Sequence, residues 1–241
     1  MKLLALETST EACSVALHVD GETISKFEIA PRRHAELLLP WIGELLAQAG
    51  IAKSQLDAIA CGRGPGAFTG VRLAVATVQG LALALDVPVI GVSTLQALAQ
   101  PVMTRLDAEG DVSGRAGVLA AIDARMGEVY VGAFVRDGAN GWIAHGAETV
   151  LPPDQFVAPA SPSRWHGAGT GFSAVDSTLA KRLADALESL DAAALPHATA
   201  IAELAVAAYE RGQAHAPELL QPAYLRDKVA LTLVEQGKQG G

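Results

Sequence analysis

The chain is 241 residues long, half of them hydrophobic but only 5% aromatic, and its 26 acidic against 18 basic side chains leave a net charge of −8. That length supports one large or two small domains with a core built mostly of Ala, Val and Leu. The acidic balance excludes a protein that grips nucleic acid unaided, since such affinity comes from many Lys and Arg side chains neutralising phosphates.

Cys13 and Cys61 are too few for a disulfide framework and suit small buried positions in a reducing cytoplasm. The apolar opening, Met1 to Leu6, stops at Glu7, well short of a signal-peptide core. Arg72, Gln79, Asp86 and Pro88 interrupt the longest apolar stretch, Val71 to Val92, too often for a membrane span. The expectation is a soluble, cytoplasmic protein.

In chain order, Leu3 to Leu6 reads as a strand, Thr8 to Ala12 as a polar turn and Cys13 to Val19 as a second strand. Asp20-Gly21 signals a hairpin that returns as a third strand, Glu22 to Ile29. From His34 the residues Leu37, Leu38, Trp41, Leu45 and Ala49 keep helical spacing up to Gly50, with Pro40 predicting a kink. Leu56 to Cys61 is the next strand. It feeds the loop Gly62-Arg63-Gly64-Pro65-Gly66-Ala67-Phe68-Thr69-Gly70, from which a helix runs from Val71 to about Leu85. A buried strand, Pro88 to Val92, precedes Ser93-Thr94-Leu95-Gln96, a capping box opening a helix toward Leu106 that Pro101 should bend.

The polar stretch from Asp107 to Gly117 reads as a boundary, and beyond it the opening pattern returns. Leu119 to Ala124 echoes Leu3 to Thr8, Val129 to Val135 echoes Cys13 to Val19, and Asp137-Gly138 echoes Asp20-Gly21. Glu7 precedes its turn by 13 residues and Asp123 by 14, which predicts a duplicated three-strand unit. A strand near Trp142 to Thr149, a proline-rich link, the glycine turn Gly167 to Gly171 and helices over about 174–187 and 199–211 complete the second copy, with a frayed tail from Gln236.

The loop at 62–70 brings backbone close to something, and the helix that follows would suit an anion. It is not a P-loop, because no lysine lies between Lys53 and Lys181. It fits the dinucleotide fingerprint only weakly: Ala67 stands three residues after Gly64, but Asp86 ends a helix instead of a strand. A structural or partner-facing turn is the competing reading.

The segments Leu6-Glu7-Thr8-Ser9, Gly62 to Arg72, Asp123-Ala124-Arg125-Met126-Gly127-Glu128-Val129-Tyr130 and Pro222-Ala223-Tyr224-Leu225-Arg226 together resemble the bacterial TsaB family, also called YeaZ, over essentially the whole chain. The resemblance implies an α/β, actin-like (ASKHA) duplicated fold of two subdomains, each with a mixed sheet and flanking helices. The boundaries drawn on it are 1–106, 107–213 and a C-terminal extension, 214–241. It also implies a non-catalytic subunit that works with its paralogue TsaD and the small ATPase TsaE. That assembly attaches threonylcarbamoyl to N6 of the adenosine just after the anticodon, in tRNAs reading codons that begin with adenine. On this reading tRNA is met only through the complex, no cofactor belongs to the chain itself, and ATP or ADP enters with the complex.

The residues agree with that division of labour. Where TsaD-like proteins carry a metal-binding His-x-x-x-His, this chain has His34 and then Leu38, so no metal site is expected. Glu7, Thr8, Gly64, Gly66, Thr69 and Gly70 are the candidates for a vestigial nucleotide site. Glu7 and Asp123 stand where actin-like ATPases keep catalytic carboxylates, so an actin-fold ATPase or small-molecule kinase is the alternative. The loop Ser9-Thr10-Glu11-Ala12 argues against it, lacking the glycine a triphosphate needs. No serine has a nucleophile-elbow context, and the histidines are scattered.

Finally, the helix from Val71 is apolar nearly all round. Val71, Ala74, Val75, Val78, Leu81, Ala82 and Leu85 form one stripe, while Leu73, Ala76, Leu83 and Ala84 lie opposite, and Gly80 allows close approach. The resemblance implies that this helix and the one from His34 pack on the equivalent pair of TsaD, or on a second copy of the chain when TsaD is absent. The interface residues would be Leu38, Trp41, Ile42, Leu46, Leu73, Ala76, Gly80 and Leu83. Coverage of that face by the chain's own second half is the plainer alternative.

Overall fold

The computed structural model describes residues 1–110, 116–138 and 141–226. The predicted tail from Gln236 lies outside them.

The first half folds as β1 (Lys2–Glu7), β2 (Ala12–Val19), β3 (Glu22–Ile29), α1 (His34–Ala49), β4 (Ala58–Gly62), α2 (Phe68–Leu85), β5 (Val89–Val92) and α3 (Thr94–Ala108). Its strands pair in the order β3-β2-β1-β4-β5, antiparallel through the hairpins and parallel where helices cross over. Local chemistry sets the punctuation. Asp20 and Gly21 take the left-handed angles a tight hairpin demands, Gly50 closes α1 in the left-handed region, and the Ser93 hydroxyl accepts from the Gln96 N–H at the start of α3.

The second half repeats the plan. β6 (Ala116–Arg125), β7 (Glu128–Arg136), the short strands β8 (Trp142–Ala144) and β9 (Thr149–Leu151), β10 (Arg164–Ala168), α4 (Ala174–Arg182), β11 (Leu187–Asp191) and α5 (Ala198–Glu210) follow. The order is β11-β10-β6-β7-β8, with β9 also on β7. Setting β6, β7, β8, β10 and β11 against β1, β2, β3, β4 and β5 gives the same order and the same strand directions. This is the duplicated mixed-sheet architecture of actin-like proteins.

Three sequence expectations change. The single strand near 142–149 is two short ones, because β7 is long enough to pair with a separate segment at each end. The helix expected to reach Leu187 stops at Arg182; Leu187 to Asp191 is instead the edge strand parallel to β10. The division at 107 is bridged by two helices, each packed on the sheet of the other segment. α3 sets Leu95, Leu98, Met103 and Leu106 into the core of the second sheet, and α5 sets Ala198, Ile201, Ala202 and Ala205 against the first.

The strand period of two explains why each sheet has two cores. In the first, Leu4, Leu6, Val15, Leu17 and Ile59 face α1 and α2, while Leu3, Ala5, Ala16, Ala58 and Ala60 face α5. The small residues on the α5 side let a helix lie close. In the second, Val118, Ala120 and Ile122 face α3, and Leu119 and Ala121 face the α4 side with Trp165 and Phe172. Helices α3 and α5 therefore lie between the sheets, in contact with each other, and a cleft opens where the two lobes meet.

Candidate functional site

The cleft encloses about 670 Å³ and is walled by the β1–β2 turn, the start of α1 and the glycine loop on one side. The β6–β7 hairpin and the turn around Thr170 form the other wall, and residues 223–226 run across its mouth. All four segments singled out in the sequence converge here.

Glu7 ends β1 fully buried, one step behind the cleft wall. Its Oε1 accepts from the Ser9 N–H at 2.6 Å and the Ser9 hydroxyl at 2.5 Å, whereas Oε2 has no hydrogen-bond partner among the described residues. A β-carbon at Gly62 would stand 1.8 Å from that Oε2, so any other residue there would have to displace the carboxyl. Burial raises the Glu7 pKa; the Ser9 hydrogen bonds pull it down but are the smaller effect. A carboxyl so placed is held by its own chain and does not reach into the cleft.

The glycine loop is likewise spent on the protein. A β-carbon at Gly70 would lie 1.9 Å from the Thr8 carbonyl oxygen, and the Thr8 hydroxyl donates to the Gly70 carbonyl at 2.7 Å. The Ala67 N–H donates to the Ser9 carbonyl at 2.7 Å. Gly64 N–H donates to the Thr94 hydroxyl, and Thr94 N–H returns to the Gly64 carbonyl. The close backbone approach that the glycines predict is thus made to the β1–β2 turn. Of Glu7, Thr8, Gly64, Gly66, Thr69 and Gly70, only Gly66 lines the cleft.

On the second lobe, Asp123 accepts at Oδ1 from the Arg125 N–H and at Oδ2 from its guanidinium, both at 2.8 Å. His34 bonds the Thr10 and Ala12 carbonyls through Nε2, at 3.0 and 3.1 Å, which ties α1 to the β1–β2 turn. Leu38, four residues on, is buried in the first core and offers no ligand atom. Among the described residues no cluster of three His, Cys, Asp or Glu side chains is placed to hold a metal ion.

The C-terminal segment is the part the sequence reading left without a role. From α5 it pairs His215 with Val89, buries Leu220 in the first core and receives the Gln79 amide on the carbonyls of Pro217 and Leu220. The Ala223 N–H then bonds the Arg63 carbonyl at 2.7 Å. Tyr224 takes a 2.7 Å hydrogen bond from Arg72 Nε, and the Arg72 guanidinium lies 3.6 Å over the Phe68 ring. Arg226 crosses to the other lobe, donating to Glu128 Oε2 at 2.5 and 3.1 Å and to the Ala124 carbonyl at 3.2 Å. The motif Pro222 to Arg226 pointed to this strap; nothing local in it names Glu128, ninety-eight residues away, as its partner.

The proposed interface residues divide. Leu38, Ile42 and Leu46 are core residues, not an open face. With Leu45 they form the i, i+4, i+7, i+8 stripe that a 3.6-residue period turns onto β2 and β3. Trp41 and Leu73 are partly buried against the same core. Ala76, Gly80 and Leu83 are exposed, Leu83 to 63%, and so is Leu39 on α1, to 60%. No described residue of the second half covers them. α2 also has the length and mean hydropathy, 1.5, of a membrane span, but six of its residues pack into the first lobe.

A family model described as TsaD, tRNA N6-adenosine threonylcarbamoyltransferase, matches residues 27–233. The chain is 39% identical over 238 residues to the tRNA threonylcarbamoyladenosine biosynthesis protein TsaB of Escherichia coli K12, covering 95% of this chain and 96% of that one. It superimposes on YeaZ from Pseudomonas aeruginosa with a TM-score of 0.78 and 45% identity, over 93% of this chain and 99% of the other. A second P. aeruginosa structure, described by its similarity to peptidase YeaZ, gives a TM-score of 0.80 and 47% identity over the same shares. Near-complete coverage in both directions, on a fold duplicated in this way, places the chain in the TsaB (YeaZ) family of tRNA threonylcarbamoyladenosine biosynthesis proteins.

Proposed function

We propose that this chain is a non-catalytic subunit of the machinery that installs threonylcarbamoyladenosine in tRNA, and that the open side of α2 is its docking face. The observation that carries the reading is the run Ala76, Gly80, Leu83 and Ala84. These residues are exposed on a helix whose other side is core. Small residues let a partner helix approach closely, and Leu83 supplies an apolar anchor. Leu39, Gly43 and Ala47 extend the surface from α1, replacing the buried Leu38, Ile42 and Leu46 as its contribution.

The partner this face fits is a TsaD-type catalytic subunit of the same fold, with a second copy of the chain as its substitute, and the small ATPase TsaE as the third member. The assembly works in the cytoplasm, brings its own ATP or ADP and metal, and presents tRNA to the catalytic subunit. The glycine loop, packed on the β1–β2 turn, supports a structural reading over a vestigial nucleotide cradle. Glu7, shut away behind Gly62, weighs against the kinase alternative.

Substituting Leu83→Glu or Ala76→Glu tests the docking face, because an exposed carboxylate leaves the fold intact but must be desolvated at an interface. Size-exclusion chromatography with a TsaD-type partner should show association weakened by at least about a hundredfold, the scale of losing a central anchor, with an unchanged circular dichroism spectrum. An intact complex would place the interface elsewhere.

A further inference from the structure

Beside the cleft, Arg125 and Arg226 are each neutralised by a carboxylate, Asp123 and Glu128. Arg32, on the rim, and Arg72 are not: among the described residues neither has an acidic side chain within ion-pair reach. Arg72 spends only Nε on Tyr224 and lies over Phe68, so that among the described residues neither terminal nitrogen has a hydrogen-bond acceptor. Phe68 is 49% exposed and Tyr224 50%, their ring centres 5.9 Å apart.

Anchoring the strap does not require this exposure. Leu220, the two Gln79 bonds, the Ala223 N–H and the Arg226 contacts already fix it on either side. Two half-open aromatic rings with two uncompensated guanidinium groups, on a protein of net charge −8, form a local exception to the chain's acidity. Stacking surfaces beside unpaired cations match one chemistry above others, a flat base attached to phosphate.

We propose that Phe68, Arg72 and Tyr224 form a stacking platform for an unpaired nucleotide of RNA, with Arg32 and the terminal nitrogens of Arg72 holding its phosphates. A polymer loop suits the site better than a free triphosphate. The rings stand at the cleft mouth, where a looped-out base can reach them, while Glu11, with no cation paired to it among the described residues, lines the same cleft and opposes a concentrated charge. One platform and two arginines give weak binding, an addition to whatever grip the assembled complex has on its substrate. The choice of RNA rests on the tRNA-modification reading, but the contact does not depend on the α2 docking face.

Fluorescence anisotropy of the full chain at low salt, with a labelled tRNA anticodon stem-loop, tests the platform. A fully paired RNA duplex and AMP serve as competitors. The stem-loop should bind and outcompete both. Phe68→Leu, which keeps apolar bulk but removes the ring, should weaken it about tenfold, the scale of one lost base stack. Arg32→Ala should lower the slope of affinity against salt by about one phosphate contact. Both variants should keep the wild-type circular dichroism spectrum, and Leu83→Glu should bind RNA normally. The proposal is overturned by absent stem-loop binding or by unchanged affinity in both variants. Equal binding of duplex, which marks a phosphate-only contact, or tighter binding of AMP, which marks a mononucleotide pocket, overturns it too. So does Phe68→Leu losing the protein partner while RNA binding is kept.

Discussion

Glu7 shows how one side chain can look catalytic and be structural. It ends the first strand where an actin-like enzyme would keep a carboxylate, yet it is fully buried and has one oxygen unpartnered among the described residues. Desolvation favours its neutral form. A carboxyl whose pKa is raised on folding binds its proton more tightly in the native state. Its stabilising effect is therefore whole below the unfolded value, near 4.5, and is lost as the pH rises through the raised native value. Glu7→Gln keeps the acceptor for Ser9 and removes the titration. Urea denaturation should find this variant more stable than wild type at about pH 8 and the two converging toward about pH 4.5, as the wild-type carboxyl becomes neutral in both states. A variant less stable than wild type at high pH would mean that the ionised carboxylate is compensated by a partner such as an ordered water. Glu148 is a second case of the same direction: burial raises its pKa while it takes a hydrogen bond from Ser93, across the lobe boundary.

Helix α1 carries apolar residues in excess of one stripe, so its sequence permits more than one rotation about its axis. Register on the sheet chose Leu38, Ile42, Leu45 and Leu46 for the core and left Leu39 outside. The two classes should separate in measured stability. Leu46→Ala empties space in a packed core and should cost about 2–5 kcal/mol, whereas Leu39→Ala should stay within about 0.5 kcal/mol, as surface changes do. Denaturant midpoints of the two variants decide this, and a Leu39→Ala cost as large as that of Leu46→Ala would contradict the assignment. The same helix period explains why α2 reads as apolar all round. Its inner stripe meets β4 and β1, while Ala76, Gly80, Leu83 and Ala84 on the other side are exposed.

At the scale of the molecule, the two lobes are joined by shared helices between the sheets and by the C-terminal strap, whose Arg226 staples the tip of the β6–β7 hairpin. That tip holds Arg125 and Met126 in left-handed angles, and Arg226 donates to the Ala124 and Arg125 carbonyls there. Arg226→Ala removes the charge-assisted bonds and should cost about 1–3 kcal/mol. It should also speed amide exchange in residues 124–130 and 222–226 while the first core stays protected, as hydrogen exchange with mass spectrometry would read. Unchanged exchange at the hairpin would show that the strap does not hold the lobes. The succession of strands and helices in the first lobe, the duplication and the punctuating turns could all be read in the sequence, because a period of two, an Asp-Gly turn and a capping serine are local signals that side chains impose on their own backbone. The docking of the glycine loop on Thr8 and Ser9, the exchange of α3 and α5 between lobes, the choice of outward-facing leucine on α1 and the reach of Arg226 to Glu128 were decided only by the tertiary structure. Each is a pairing of surfaces distant along the chain, and residue type alone states that a surface wants a partner without stating which one.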